Sequence, residues 1–132
     1  MSSSDQTQKG YLAAEITREV VKLLREYTGR GPTKAHTLIS ESLVTVVLQD
    51  TLTMGERSLV RDGEGKLVLE TRRAFQQTMS AQMIAAVERH TGRRVEAFLS
   101  ANHLDPDVAL ESFMLAPPEE NANESPEPRP TA

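Results

Sequence analysis

The chain has 132 residues, no cysteine, and a formal net charge of −4 from 15 basic and 19 acidic side chains. That length suits one domain with a core of its own, and the missing cysteines exclude disulfides, thiolate metal sites and cysteine nucleophiles. The acidic excess is concentrated after Pro117, leaving Lys9 to Leu115 balanced, so bulk nucleic-acid affinity, which requires several bases on one surface, is not expected.

Met1-Ser2-Ser3-Ser4-Asp5-Gln6 has no basic stretch followed by an apolar one, and the apolar runs fall far short of the roughly 20 residues that span a bilayer. The expectation is a cytoplasmic protein without direct membrane insertion. Residues 1–8 are polar and expected to be unstructured, followed by one domain over 9–115. The tail, 116–132, interleaves Pro117, Pro118, Pro126, Pro128 and Pro130 with acids and is expected to be disordered, as a solubilising segment or a recruitment motif.

The first predicted element is a helix from about Lys9 to Thr28, because Leu12, Ile16, Val20, Leu23, Leu24 and Tyr27 recur at three- and four-residue steps. Glu15 and Glu19 precede Arg18 and Lys22 by three, which predicts pairing along the opposite side. Gly29 supplies a left-handed stop and Pro32 prevents continuation. Two strands follow, 34–40 and 43–49. The Glu41-Ser42 connection makes them a hairpin, and the second strand is apolar on both faces.

Thr53-Met54-Gly55-Glu56 has the form of a capping box opening a short helix to about Val60. After the Asp62-Gly63-Glu64-Gly65 interruption a long helix is predicted from about Lys66 to His90, with a stripe of Leu67, Thr71, Phe75, Met79, Met83 and Val87. A strand from Val95 puts Val95, Ala97 and Leu99 on one face and Glu96 and Phe98 on the other. The turn 102–107 leads to a last strand, Val108 to Leu115.

The halves resemble each other. Glu26-Tyr27-Thr28-Gly29-Arg30 and Arg89-His90-Thr91-Gly92-Arg93 each end a helix ahead of a hairpin. The order αββ-α-αββ predicts an α+β fold: a four-stranded antiparallel sheet with two main helices on one face. Each Thr-Gly-Arg segment reads first as a helix stop. The sharper reading is an anion site formed by Arg30, Lys34, Arg93 and Arg94, should the two junctions lie together.

Candidate chemistry is sparse. His103 with Asp105 and Asp107 is the best ligand-like cluster, but Asp-Pro-Asp in a turn is ordinary turn chemistry. The glycine loops lack a phosphate-binding pattern, no nucleophile elbow surrounds Ser40, Ser42 or Ser100, and Met79 and Met83 read as core. Catalytic residues, metal and cofactor are therefore all expected to be none.

Tyr27-Thr28-Gly29-Arg30-Gly31-Pro32-Thr33-Lys34, Val46-Val47-Leu48, Leu52-Thr53-Met54-Gly55-Glu56, Ala74-Phe75-Gln76, Thr91-Gly92-Arg93-Arg94-Val95, Phe98-Leu99-Ser100 and Asp105-Pro106-Asp107 together resemble the bacterial MpsC-like domain over about residues 9–115. One departure is Gly55, where that pattern leads one to expect Pro. The resemblance implies an accessory protein near a sodium-translocating, membrane-potential-generating system associated with inorganic-carbon uptake. It carries no catalytic residues.

The expectation is thus a non-enzymatic accessory or binding module, a homodimer that can partner a membrane complex. If two helices cover one sheet face, Val44, Val46, Leu48, Phe98 and Phe113 lie partly exposed on the other, or the reverse set does, and that patch is the interface. The alternatives are a regulatory module sensing a small anion or nucleotide through the four bases, and a small enzyme built on His103 and its turn.

Overall fold

The computed structural model describes residues 3–118. The elements are α1 (Ser3–Thr28), β1 (Lys34–Ser40), β2 (Leu43–Gln49), α2 (Met54–Arg61), α3 (Gly65–Thr91), β3 (Val95–His103) and β4 (Val108–Leu115). The strands form one antiparallel sheet in the order β1-β2-β4-β3, so β2 and β4 form the central seam. The α+β fold with a four-stranded antiparallel sheet is as expected. The tail beyond residue 118 lies outside the described residues.

α1 begins at Ser3, so residues 3–8 are helical rather than unstructured. Gln6, Thr7 and Gln8 are exposed, and no apolar periodicity marks that first stretch. From Ile16 onward the stripe governs: Ile16, Val20 and Leu24 of α1 meet Met79, Met83 and Val87 of α3. Both helices lie on one face of the sheet, over Val44, Val46 and Leu48 of β2 and Ala109, Phe113 and Leu115 of β4. The Phe98 and Phe113 rings stack at a centroid separation of 4.9 Å, inside the range where aromatic pairs add to simple burial.

Three local departures from the periodicity have physical causes. Glu19 does not pair along its own helix but with Arg89 and His90 of α3, joining the two helices at the rim of the core. Arg18 does pair with Glu15, at 2.7 Å. In the first half of α3 the buried line runs through Val68 and Arg72, while Leu67 and Thr71 are exposed. In β3 the register shifts between Val95 and Ala97, making Glu96 the residue of a bulge. The bulge turns Val95 onto the core face with Phe98, leaving Ala97 and Leu99 on the other.

The capping box forms in full. Thr53 accepts from the Glu56 N–H at 3.1 Å, and the Glu56 carboxylate accepts from the Thr53 N–H at 2.8 Å. Two reciprocal bonds start α2 without a proline at its first turn, so Gly55 does not dissolve the helix.

Candidate functional site

The two Thr-Gly-Arg junctions are built alike. Gly29 and Gly92 adopt left-handed φ of 81° and 68°, and their N–H groups donate to Arg25 O and Glu88 O at 2.9 and 2.8 Å. Thr28 Oγ1 donates to Leu24 O at 2.8 Å and Thr91 Oγ1 to Val87 O at 2.7 Å. Each threonine hydroxyl also accepts from the arginine N–H two residues on, at 3.3 and 3.2 Å. These are helix stops stabilised by a side chain.

The junctions do not come together. Arg30 and Lys34 stand at the end of the sheet where Lys34 pairs Gln49 and Gln49 pairs Val108. Arg93 and Arg94 stand at the end where Ser40 pairs Leu43 and Leu43 pairs Met114. About seven residues of strand, roughly 20 Å, separate those ends. Because β2 and β4 run antiparallel, the entries to the two hairpins fall on opposite ends. The arginines are also engaged. Arg30 pairs with Asp50 at 2.8 Å, Arg94 reaches Glu96 at 3.6 Å, and Arg93 donates to Ala116 O at 2.7 and 3.0 Å and to Glu41 O at 2.5 Å. The expected four-base cluster is therefore corrected to two separate structural corners.

The His103 turn is likewise occupied by structure. Asp107 Oδ1 accepts from Thr51 Oγ1 at 3.1 Å and Oδ2 from the Leu52 N–H at 2.9 Å, clamping the start of β4 to the chain leaving β2. His103 Nδ1 lies 2.8 Å from Pro106 O. Asp105 is exposed. Among the described residues no three His, Cys, Asp or Glu side chains converge to hold a metal ion.

Behind that clamp is a residue outside the stripe expected for α3. Arg72 is only 2% exposed. Its Nε and Nη2 donate to the two Glu56 carboxylate oxygens at 2.8 and 2.6 Å, Nη2 donates to Thr51 O at 2.7 Å, and Nη1 to Thr51 Oγ1 at 3.2 Å. Burial pushes the Glu56 carboxyl up, but hydrogen bonds from Arg72 and the Thr53 backbone together with the Arg72 charge outweigh it and hold the group below the usual carboxylate range.

Glu111, at the centre of β4, is the second buried ionisable group and is also 2% exposed. It lies on the covered face between Val46 of β2 and Ser100 of β3. Gln76 Nε2 donates to its Oε1 at 3.2 Å. Ser100 stands close enough to act on the carboxyl, but neither Ser100 Oγ nor Glu111 Oε2 has a hydrogen-bond partner of normal geometry, and both atoms are buried. Burial pushes the carboxyl up to about 7, against smaller lowering effects of Ser100, Gln76 and Arg72. An open groove of about 520 Å³ runs beside this group between α3 and β3, with Leu69, Arg73, Gln76, Phe98, Ser100 and Asn102 among its walls. It exists because β3 presents Ser100 and Asn102 where larger apolar side chains would fill the gap to α3. The sequence did carry one signal for Glu111: it interrupts the inward series Ala109, Phe113, Leu115 with a charge.

Among the described residues no helix covers the opposite face of the sheet. Val44, Val46, Leu48 and Phe113 are fully buried beneath α1 and α3, and Phe98 is packed against them, so that set is core and not surface. The reverse set lies uncovered: Leu38, Leu43, Leu99, Leu110 and Met114 are between 38% and 62% exposed. The pairing places them in rows with Val47, Thr45 and Ser112, the central row being Leu38-Thr45-Ser112-Leu99. No acid and no arginine belongs to these rows; Lys34 sits at one corner.

A family model described as "Na+-translocating membrane potential-generating system (MpsC)" matches residues 8–117. No curated protein and no solved structure matches the chain.

Proposed function

We propose, from the premise that the chain belongs to the MpsC family, that it is a non-enzymatic accessory module that works as a homodimer, joined through the uncovered sheet face. One observation carries this reading: a sheet face on which Leu38, Leu43, Leu99, Leu110 and Met114 surround the Thr45–Ser112 pair and which the described helices leave bare. Four strands about 4.8 Å apart and about seven residues long make a face of roughly 19 by 24 Å. Five large exposed apolar side chains gathered on one face of that scale support an interaction site.

The chemistry of the face favours a second copy as its occupant. It lacks charged side chains except Lys34, so two copies meet without repulsion and a charged partner finds nothing to pair with. An anionic membrane surface gains nothing either, because such binding relies on clustered bases. Sheets of equal twist pack face to face at about 30° with interdigitating side chains. A face this small falls below the standard interface size, so the association is expected to be weak.

The family description names a Na+-translocating system, and no helix of the described residues is long and apolar enough to cross a membrane. This supports a role beside such a system, as a soluble partner of a membrane cation or inorganic-carbon uptake complex. The anion-sensing alternative has less support, since Arg30 and Lys34 are remote from Arg93 and Arg94. The enzyme alternative loses Asp107 to its clamp.

Sedimentation velocity over a concentration series tests the dimer. The wild-type chain is expected to pass from monomer to dimer across the micromolar range. Leu99→Glu is expected to weaken association at least a hundredfold with an unchanged circular dichroism spectrum. A wild-type chain that stays monomeric into the hundreds of micromolar, or a Leu99→Glu variant that dimerises as before, overturns the reading.

A further inference from the structure

We propose that the groove between α3 and β3 is the docking site of this chain's own acidic, proline-rich segment, residues 119–132, with Glu124 and Glu127 beside Arg73 and Pro128 and Pro130 over Leu69. The argument begins with charge. Among the described residues that wall the groove, Arg73 alone carries charge, and none of the described carboxylates pairs with it. Residues 119–132 carry Glu119, Glu120, Glu124 and Glu127 against one base, Arg129. An unpaired guanidinium and an acidic segment are complementary. The uncovered sheet face of a second copy brings no acid to Arg73.

Geometry supplies the reach. The Ala116 N–H donates to Arg94 O at 2.7 Å, and Arg93 donates to Ala116 O. The chain therefore leaves the described fold across the first residues of β3, the edge strand. α3 runs antiparallel to β3. At one end Glu88 Oε2 accepts from the Val95 N–H at 2.8 Å. At the other, Leu104 Cδ1 stands 2.9 Å from where a Cβ on Gly65 would sit. Ser80 thus falls toward Phe98, and Arg73 and Leu69 toward Asn102. Val95 to Asn102 is roughly 23 Å of strand. A proline-rich run advances about 3.1 Å per residue, which puts Glu124 and Glu127 roughly 19 and 28 Å beyond Pro118 and brackets that span. Such a run leaves its carbonyls free to accept, and the side-chain amides of Gln77 and Asn102 in the groove walls are donors for them. The tether makes a site with one cation sufficient, because it holds the segment at a roughly millimolar effective concentration.

The test uses the full chain. Because it has no cysteine, Ser125→Cys gives a single site for a nitroxide spin label, and amide broadening reports what the label approaches. Broadening is expected to be strongest at Gln77, Ser100 and Ala101, and absent at Leu38 and Leu43. It is expected to persist on dilution and to vanish at these positions when an isotope-enriched, unlabelled chain is mixed with a spin-labelled one. Arg73→Glu is expected to reduce it at least fivefold, and adding Glu124→Arg and Glu127→Arg to restore at least half. Salt at about 1 M, which screens charges beyond about 3 Å, is expected to act as Arg73→Glu does and gives a second reading should that variant alter the fold. Broadening centred on Ala116 and Val95, broadening of the groove only between copies, or a pattern unchanged by Arg73→Glu and by salt would each overturn the proposal, as would a triple variant that regains nothing. Because the groove lies on the helix side of the sheet, its failure leaves the dimer face untouched.

Discussion

Replacing Arg72 with Met is expected to remove about 3 kcal/mol of stability at pH 7, read from urea denaturation midpoints at constant slope. Methionine fills much of the same volume, so the loss is not a cavity effect. It arises because the guanidinium is the partner of both Glu56 carboxylate oxygens and of Thr51 O and Oγ1. Removing one partner of a buried pair leaves the other to bear its desolvation alone. Glu56 is 15% exposed at its side chain against 3% for Arg72, so water recovers part of its loss and the cost stays at the lower end of the range for broken buried pairs. Adding Glu56→Gln to Arg72→Met is expected to restore about 1 kcal/mol, the signature of two coupled residues. A loss under about 1 kcal/mol for Arg72→Met alone would show that the pair contributes little.

Glu111→Gln is expected to stabilise the protein at pH 8 while changing it little at pH 4.5. Burial pushes the Glu111 carboxyl up to about 7 in the folded chain, from an ordinary value of 4.5. Between those values the folded state holds a proton that the unfolded state has released. Stability therefore falls as pH rises through this window and levels off above it. The shift corresponds to about 3 kcal/mol. A glutamine has no proton to lose, so the variant's stability curve should be flat where the wild type declines, with a gain of about 2 kcal/mol at pH 8. Glu56 acts in the opposite sense. Its depressed value stabilises the fold above the ordinary carboxylate range, and that contribution is lost as pH falls through the folded value. A wild-type stability that does not decline from pH 5 to pH 8 would contradict the assignment of Glu111.

The backbone was largely legible in the sequence because period and punctuation agree with the fold. The stripe Ile16-Val20-Leu24, the Thr53–Glu56 capping box and the glycine stops at Gly29 and Gly92 each rest on local chemistry that tertiary packing reinforces. What the sequence concealed depends on contacts between distant segments. Arg72 falls outside the stripe of α3, and its burial depends on Glu56 and Thr51, 16 and 21 residues away, which surround it. Val95 reads as a face-mate of Leu99 until the bulge at Glu96 reverses it. The four bases read as one site until the antiparallel β2–β4 seam sends the two pairs to opposite ends. Which apolar set is left uncovered was undecidable from alternation alone, since both faces of β2 are apolar and only helix placement separates Val46 from Val47.

That separation leads to the most direct test of association through the uncovered face. Methyl chemical shifts of the full chain, recorded over a dilution series, report which side chains change surroundings as copies part. Concentration-dependent shifts are expected at Leu38, Leu43, Val47, Leu99, Leu110 and Met114, with Val20, Val46 and Val87 beneath the helices unmoved. Shifts confined to the outer surfaces of α1 and α3, or spectra that do not change with concentration, would contradict it.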